Sequence, residues 1–507
     1  MSRPPLLPAD PHDAARLAAL APPDWRNPEP ARRYDLVVLG AGTAGLVSAA
    51  IASGLGARVA LVERGLLGGD CLNVGCVPSK AVLRAGRFAA DARRARAIGL
   101  APPEGAQPDF AAAMERMRAI RAAIAPHDSA YRFRDELGVD VFLGEGRFAG
   151  SGEALVGGRR LAFRRAIVAT GARAALPPIP GLPEAHPLTN ETVFDLREAP
   201  ARLAVLGGGP IGCELAQAFA RLGVSVTLFE VAPRLLARDD PEAAGIVAQA
   251  LARDGVRVLL GTRVERVARD GAVRRLRFAA EGAGAGEEAF DELLVAAGRL
   301  PNVQGLGLEA AGVGYDAQRG VTVDDFLRTT NRRVYAVGDC ALETRFTHAA
   351  DAAARLAVRN ALFYGRQRLS RLVIPWCTYT DPELAQAGLT PQQAEEQGVA
   401  IDTYTVPMTA NDRARTEGET EGFARLHTPR GRDTIVGATI VGAGAGEQIA
   451  LVVAAMTAGL GLGALSATVL PYPTRAMAVT GAANAYLRTR LTPLARRMLG
   501  VVLRLPH

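Results

Sequence analysis

The chain has 507 residues, enough for two to four domains with sizeable cores. Its hydrophobic share of 49% and charged share of 22% fit a globular protein, and its net charge of +7 comes from scattered arginines, so no nucleic-acid-binding arm is read from it. Five unevenly spaced cysteines exclude a secreted disulfide scaffold and suit a cytoplasmic protein.

Residues 1–33 are rich in Pro and Ala and lack a basic start followed by an apolar run. They read as an extension draped over the first domain and not as a signal peptide. Tyr34 to Val38 then reads as a short buried strand. Gly40-Ala41-Gly42-Thr43-Ala44-Gly45 follows, then an Ala-rich helix to about Leu55 and a strand from Arg58 that ends at Glu63. This is strand, Gly-x-Gly-x-x-Gly, helix, strand, with an acid about 20 residues on. Gly40 permits the tight turn, Gly42 lets backbone approach a pyrophosphate, and Gly45 lets helix pack on strand. Glu63 would accept hydrogen bonds from a ribose.

The segment Gly68-Gly69-Asp70-Cys71-Leu72-Asn73-Val74-Gly75-Cys76-Val77-Pro78-Ser79-Lys80 comes next. It holds two of the cysteines and the only lysine of the chain. A single ammonium among so many guanidinium groups suggests a site where a compact point charge is needed. Cys71 and Cys76 could bind a metal, form a structural disulfide or exchange electrons. Zinc needs about four ligands, and no second Cys/His cluster is near in sequence. A structural disulfide across so short a loop gains little entropy. Exchange fits best, because the pair sits where the chain enters a helix, whose N-terminus favours thiolate. Cys213, Cys340 and Cys377 stand alone in apolar contexts and read as buried and inert.

The dinucleotide pattern recurs. Leu203 to Leu206 reads as a strand, Gly207-Gly208-Gly209-Pro210-Ile211-Gly212 as its loop, and a helix runs to about Leu222 before a strand Ser225 to Phe229 that ends at Glu230. One such motif is weak evidence, but two in matched context predict two dinucleotide sites. Apolar strands ending at Gly171 and Gly298 look like crossings between the nucleotide domains. Val334 to Val337 reads as a strand running to Asp339. From Arg371 the texture changes to alternating strands, such as Gly422 to Leu426 and Thr434 to Val441, and predicts a separate α+β domain. Ile449 to Leu470 lacks charge, yet Gly459, Gly461 and Gly463 and the missing flanking anchors favour a buried helix plus loop over a membrane span. Tyr486 to Leu505 places Arg488, Arg490, Arg496, Arg497 and Arg504 among apolar residues. A helix packed on a dimer is the favoured reading of it, and peripheral contact with an anionic membrane is the alternative.

The cysteine segment resembles the redox-active segment of the class I pyridine nucleotide–disulfide oxidoreductases, which include lipoamide dehydrogenase, glutathione reductase and mercuric reductase. The resemblance runs from about Tyr34 to about Ala482, with mercuric reductase closest in texture. It implies an α/β fold with two Rossmann-like domains and a C-terminal α+β dimerisation domain. Residues 34–171 and 297–368 would bind FAD, 172–296 would bind NAD(P), 369–485 would dimerise, and 486–507 would form a basic tail.

The resemblance also implies roles. Gly40, Gly42, Gly45 and Glu63 would hold the FAD adenosine diphosphate, and Asp339 the ribityl chain. Gly207, Gly209, Gly212 and Glu230 would hold the nicotinamide nucleotide, with further cofactor contacts at Gly69, Gly171 and Gly298. Cys76 would be the charge-transfer thiolate against the flavin and Cys71 the exposed interchange thiol that meets substrate. Lys80 would sit near flavin N5, paired with Glu214; the plainer reading of Glu214 is a solvated helix acid. Glu230 favours NADH over NADPH, although Arg234 could soften that preference. The protein would be a cytoplasmic homodimer passing electrons to a small-molecule or metal-ion acceptor, with no resident metal.

Two departures qualify the resemblance. The thiol reductases carry His-Pro-Thr-x-x-Glu, an acid/base dyad, near the C-terminus. Here the matching positions read Tyr472-Pro473-Thr474-Arg475-Ala476-Met477. A phenol cannot easily shuttle protons near neutral pH, so lipoamide or glutathione turnover is not expected. Tyr472 resembles mercuric reductase, but that enzyme's C-terminal cysteine pair and N-terminal metal-binding module have no counterpart in the sequence. Flavin-direct oxidation of NADH by oxygen or quinone, and a non-enzymatic flavin redox sensor, are the alternatives.

Overall fold

The computed structural model describes residues 10–101, 107–270, 273–280 and 284–504. The first nine residues of the predicted extension and the last three of the predicted tail, Leu505 to His507, lie outside them. Two compact units form: Met1–Gly207, Ala218–Thr227 and Val264–Leu372 in one, and Gly208–Gln217, Leu228–Arg263 and Val373–His507 in the other.

The first unit begins with helix α1 (Pro11–Leu20), whose N-cap Asp10 accepts from the Asp13 N–H and whose first helical residue is Pro11. Strand β1 (Tyr34–Leu39) follows, buried at every position except the half-buried Asp35. Helix α2 (Thr43–Gly54) and strand β2 (Val59–Glu63) complete the first nucleotide-binding pattern. The redox segment forms the short α3 (Gly69–Asn73) and then α4 (Cys76–Arg94). Next come α5 (Phe110–Ile124), α6 (Ala130–Asp135), β3 (Asp140–Leu143), β4 (Gly146–Gly150), β5 (Glu153–Val156) and β6 (Arg159–Val168).

The sheet order β3-β2-β1-β6 is parallel, and β6 continues at its N-terminal end into an antiparallel meander with β5 and β4. Sequence reading did not foresee that meander. Strand β1 is central, so it is apolar on both faces, as a strand covered on both sides must be. Leu36 and Val38 join one core with α2, while Val37 and Leu39 join another with Phe142 and Phe163. Each such fully buried side chain contributes about 1.5–3 kcal/mol through burial.

The second pattern starts after the short β7 (Ala172–Ala174) with β8 (Arg202–Leu206), α7 (Pro210–Arg221), β9 (Ser225–Phe229), α8 (Pro241–Arg253) and β10 (Arg257–Leu259). An antiparallel trio, β11 (Thr262–Asp270), β12 (Val273–Ala280) and β13 (Gly284–Phe290), leads to β14 (Glu292–Val295), and the strand order here is β10-β9-β8-β14. The chain then runs through β15 (Arg299–Pro301), β16 (Tyr315–Asp316), β17 (Gly320–Val321) and β18 (Val334–Ala336). Strand β18 pairs in parallel with β6, so the segment leading to Asp339 returns to the first sheet. Helix α9 (Thr347–Leu362) follows.

The second unit holds an antiparallel sheet of β19 (Trp376–Thr378), β20 (Glu383–Gly388), β21 (Ile401–Pro407), β22 (Phe423–Pro429) and β23 (Gly437–Gly442), ordered β19-β20-β23-β22-β21. Helices α10 (Pro391–Glu396) and α11 (Asp412–Glu417) interrupt it, and α12 (Ala445–Thr457), α13 (Leu462–Ala467), α14 (Met477–Arg490) and α15 (Pro493–Val502) complete it. The uncharged segment from Ile449 becomes most of α12, a break at Gly459 and the short α13; Ile449, Val452, Ala455, Leu462 and Leu465 are buried in the core of this unit. No helix among the described residues is long and apolar enough to cross a membrane. Helix α15 buries no side chain. Cys213 and Cys340 are buried as expected, but Cys377 is only half-buried: it lies on the sheet's edge strand, which has one strand neighbour instead of two.

Candidate active site

The two glycine loops are built alike. Gly40 has φ +101° and Gly207 φ +112°, the left-handed region that favours glycine. A Cβ on Gly40 would lie 2.4 Å from the Ala169 carbonyl oxygen, and one on Gly207 2.5 Å from that of Ala296. A Cβ on Gly45 would meet the Gly40 carbonyl oxygen at 1.8 Å, the close packing that the third glycine allows. At the strand ends the two acids repeat one role. Glu63 accepts from the N–H groups of Ala41 (2.6 Å) and Gly65 (2.7 Å); Glu230 accepts from those of Gly208 (2.5 Å) and Ala232 (2.7 Å). Burial raises the Glu63 pKa, and those N–H groups oppose the rise.

These loops fit nucleotides. Helix α2 starts at Gly42 with no side-chain cap and no acid in its first turn, leaving backbone N–H groups and the positive helix end for phosphate. A Cβ on Gly209 would meet nothing within 4 Å, so the second loop has room for one as well. Arg234 donates to the carbonyls of Leu236 (3.0 Å), Asp239 (3.0 Å) and Ala237 (2.6 Å), which commits its guanidinium to its own loop.

The first loop lies directly against the redox segment: a Cβ on Gly69 would sit 2.5 Å from Gly42 Cα. Gly68 (φ +84°) and Gly69 (φ +54°) turn the chain into α3, which carries Cys71, while Cys76 is the first residue of the 19-residue α4. A helix N-terminus stabilises negative charge there. Cys76 is exposed and Cys71 only half-buried, so Cys71 is not the more exposed thiol that the resemblance implied: it lies on the short α3, packed beside the first glycine loop. Cys76 Sγ is 3.2 Å from Thr347 Oγ1 at the start of α9. A hydrogen bond to Cys76, then burial, then the Cys76 charge push the Cys71 thiol well above its ordinary pKa, against the hydroxyls of Thr347 and Thr43.

Asn73 sits between the cysteines and is 3% exposed. Its side chain donates to the carbonyls of Leu67 (3.0 Å) and Gly69 (2.9 Å), pinning the turn. Beside the segment, Arg299 pairs with Asp70 and, at 3.5 Å, with Asp339. Burial lowers the Arg299 pKa, but Asp70 and Asp339 outweigh it and the net shift is upward. Burial raises Asp339, and Arg299 opposes. The Nε of Arg345 is buried without a hydrogen-bond partner, and that of Arg299 faces Asp339 at 3.5 Å. Donors of that kind around Asp339 suit a hydroxyl- and phosphate-bearing ligand such as FAD. Gly171 (φ +68°) and Gly298 (φ +118°) both close strand ends in left-handed conformations.

Glu214, on α7, is 5% exposed and accepts from the Tyr379 N–H at 2.9 Å, so it is not a solvated helix acid. Lys80 is half-buried on α4. Gly212 lies within α7. Tyr472 is exposed, and its hydroxyl donates to Asp412 at 3.0 Å. That hydrogen bond, and then the carboxylate's charge, raise the phenol's pKa further. The loop around Tyr472 is tied to α11: Asn411 donates to the Thr474 carbonyl at 3.1 Å, and Arg475 pairs with Glu417 and Glu419. Met477 is the first residue of α14.

Sequence reading missed Thr43, Asn73, Arg299, Thr347 and Asp412. Arg299 directly follows one of the noted strand-ending glycines, which was a usable signal; Thr347 has none, because only the fold brings it to Cys76.

The pyridine nucleotide–disulphide oxidoreductase profile matches residues 34–355, and the dimerisation domain of the same family matches residues 374–483. A mercuric reductase of Bacillus cereus is 36% identical over 443 residues, covering 87% of this chain and 70% of that protein. A dihydrolipoyl dehydrogenase of Thermus scotoductus is 34% identical over 464 residues, covering 90% and 97%. Among solved structures, the Cu(II) complex of the HOCl-induced flavoprotein disulfide reductase RclA from Escherichia coli matches with TM-score 0.80 and 27% identity, over 90% of this chain and 99% of that one. LpdA from Mycobacterium tuberculosis matches with TM-score 0.80 and 26% identity, over 89% and 99%. With two nucleotide cradles, a cysteine pair packed on the first and a dimerisation domain that supports a homodimer, the chain belongs to the FAD- and NAD(P)H-dependent pyridine nucleotide–disulfide oxidoreductases.

Proposed function

We propose that NADH is the preferred donor, that Cys71 and Cys76 are the exchanging pair, and that the acceptor is a thiophilic metal ion, with Hg(II) as the test case. Bound FAD supplies a two-electron relay between the nicotinamide and the cysteines. Cys76 would hold the negative charge on the flavin side, where its exposed face leaves room for the ring. Cys71 would keep the proton and meet the acceptor. Lys80 would place its compact positive charge beside the flavin. Glu230, with Arg234 held by its own loop, favours a ribose with two free hydroxyls and disfavours a 2′-phosphate.

The observation that carries the acceptor reading is the Tyr472–Asp412 hydrogen bond. A phenol whose proton is held by a carboxylate is a poor base near neutral pH. Thiol products need such a base, whereas reduction of a metal ion does not. The net reaction balances as NADH plus Hg(II) giving NAD⁺, a proton and Hg(0). Several relatives of similar identity are mercuric reductases, which favours the same reading. A disulfide substrate is the second reading, favoured by the dihydrolipoyl dehydrogenase relative. We place the enzyme in the cytoplasm and assign the basic tail to protein packing ahead of membrane contact.

An anaerobic NADH titration, followed by Hg(II), lipoamide, glutathione disulfide and quinones in turn, tests this. A long-wavelength thiolate-to-flavin band with Hg(II)-dependent NADH consumption is expected. Rapid turnover of lipoamide with none of Hg(II) would overturn it.

A further inference from the structure

Helix α1 precedes the region matched by the family profile, which starts at residue 34, yet it touches the redox segment. Arg16 on α1 is 5% exposed; its Nη1 donates to the Asn73 side-chain oxygen at 2.9 Å and its Nη2 to Asp13 at 3.1 Å. Arg121 on α5, 1% exposed, donates to the Asn73 carbonyl at 2.8 Å. Asp13 also faces Arg121 at 3.5 Å, Asp10 pairs with Arg118 at 2.6 Å, and Arg197 reaches both acids. The Leu67 N–H points at the Leu20 carbonyl at 3.5 Å, so the end of α1 also meets the turn before Cys71. With its two side-chain donations to Leu67 and Gly69, Asn73 is hydrogen-bonded at every side-chain polar atom.

We propose that α1 is a positioning element of the redox pair: Arg16, acting through Asn73, holds the turn that carries Cys71 and keeps the two sulfurs within reach of one another. Burying a guanidinium is costly unless it is paired and its hydrogen bonds have a structural use. Here one arm of Arg16 is neutralised by Asp13 and the other fixes a residue midway between the cysteines. Pre-organisation raises the effective concentration of one thiol at the other, which favours the disulfide over the open dithiol. Arg197 joins the same ionic cluster but has no bond to Asn73, so it serves as an internal control.

The proposal rests on Cys71 and Cys76 being the exchanging pair, and the test separates the two. The full-length flavoprotein is equilibrated in dithiothreitol redox buffers, where the pair passes two electrons and two protons to the buffer disulfide. The thiols are then alkylated and counted. Arg16→Met is expected to raise the dithiol-to-disulfide ratio about three- to ten-fold at a given buffer ratio. Arg16→Lys should recover part of the wild-type value, and Arg197→Ala should match wild type. Arg16→Gln replaces the Met variant if the latter does not fold. A wild-type pair that never forms a disulfide in these buffers defeats the exchange reading itself. A wild-type pair that does so, with Arg16→Met unshifted or Arg197→Ala shifted equally, overturns the positioning role.

Discussion

Thr347 Oγ1 lies 3.2 Å from Cys76 Sγ although 271 positions separate the two residues. The hydroxyl can donate to a thiolate, which favours the charged form. Thr347→Val is expected to slow iodoacetamide alkylation of Cys76 several-fold at pH 7, with the difference closing at high pH. Equal rates across the pH range would show that the hydroxyl does not act on the thiolate.

In the proposed relay Cys71 meets the acceptor, so its loss should break electron flow after the flavin. Cys71→Ser is expected to retain bound FAD and its reduction by NADH while losing at least about a hundred-fold in acceptor turnover. Stopped-flow absorbance separates the two steps. Undiminished turnover would favour direct transfer from the flavin.

Tyr472 stands at the position that the resemblance gives to the thiol reductases' His, and its hydroxyl donates to Asp412. Tyr472→Phe should leave reduction of the cysteine pair and Hg(II) turnover within about two-fold of wild type, because neither step uses the phenol as a base. Tyr472→His should not create lipoamide turnover, because Met477 offers no carboxylate to orient the imidazole. Steady-state kcat with each acceptor checks both.

Glu230 grips its own loop through two backbone N–H groups and is the acid proposed to face the ribose. Glu230→Ala is expected to narrow the preference for NADH over NADPH about ten-fold in kcat/KM, at some cost in stability from the two released donors. An unchanged ratio would remove this acid from nucleotide selection.

Asp239 is 4% exposed and accepts from Trp376 Nε1 at 2.7 Å. Burial pushes its pKa up to about 6, against the Trp376 hydrogen bond and nearby arginines. Between the ordinary carboxylate value and about 6 the folded state binds more protons than the unfolded one. Stability therefore falls as pH rises through that window. Asp239→Asn should be more stable than wild type above it, by on the order of 2 kcal/mol, and equal to wild type below about pH 4. Urea denaturation at several pH values measures this.

Much of this molecule is legible along the chain because its chemistry is local. Gly40, Gly207 and the acids 22 positions beyond Ala41 and Gly208 act through turns and short strands, so spacing alone locates both cradles. Cys71 and Cys76 lie within one turn-and-helix segment, and the entry into α4 was readable from it. The groups that set their protonation and posture come from elsewhere. Thr347 arrives on α9, Arg299 follows β14, and Arg16 sits on a helix that precedes the first strand. Hydrogen bonds act over about 3 Å, whatever the separation in sequence. The sequence by itself determined the family, the two nucleotide cradles and the redox pair; only the tertiary structure decided which distant hydroxyls, guanidinium groups and carboxylates hold that pair in place, because those contacts exist only once burial has brought remote segments together.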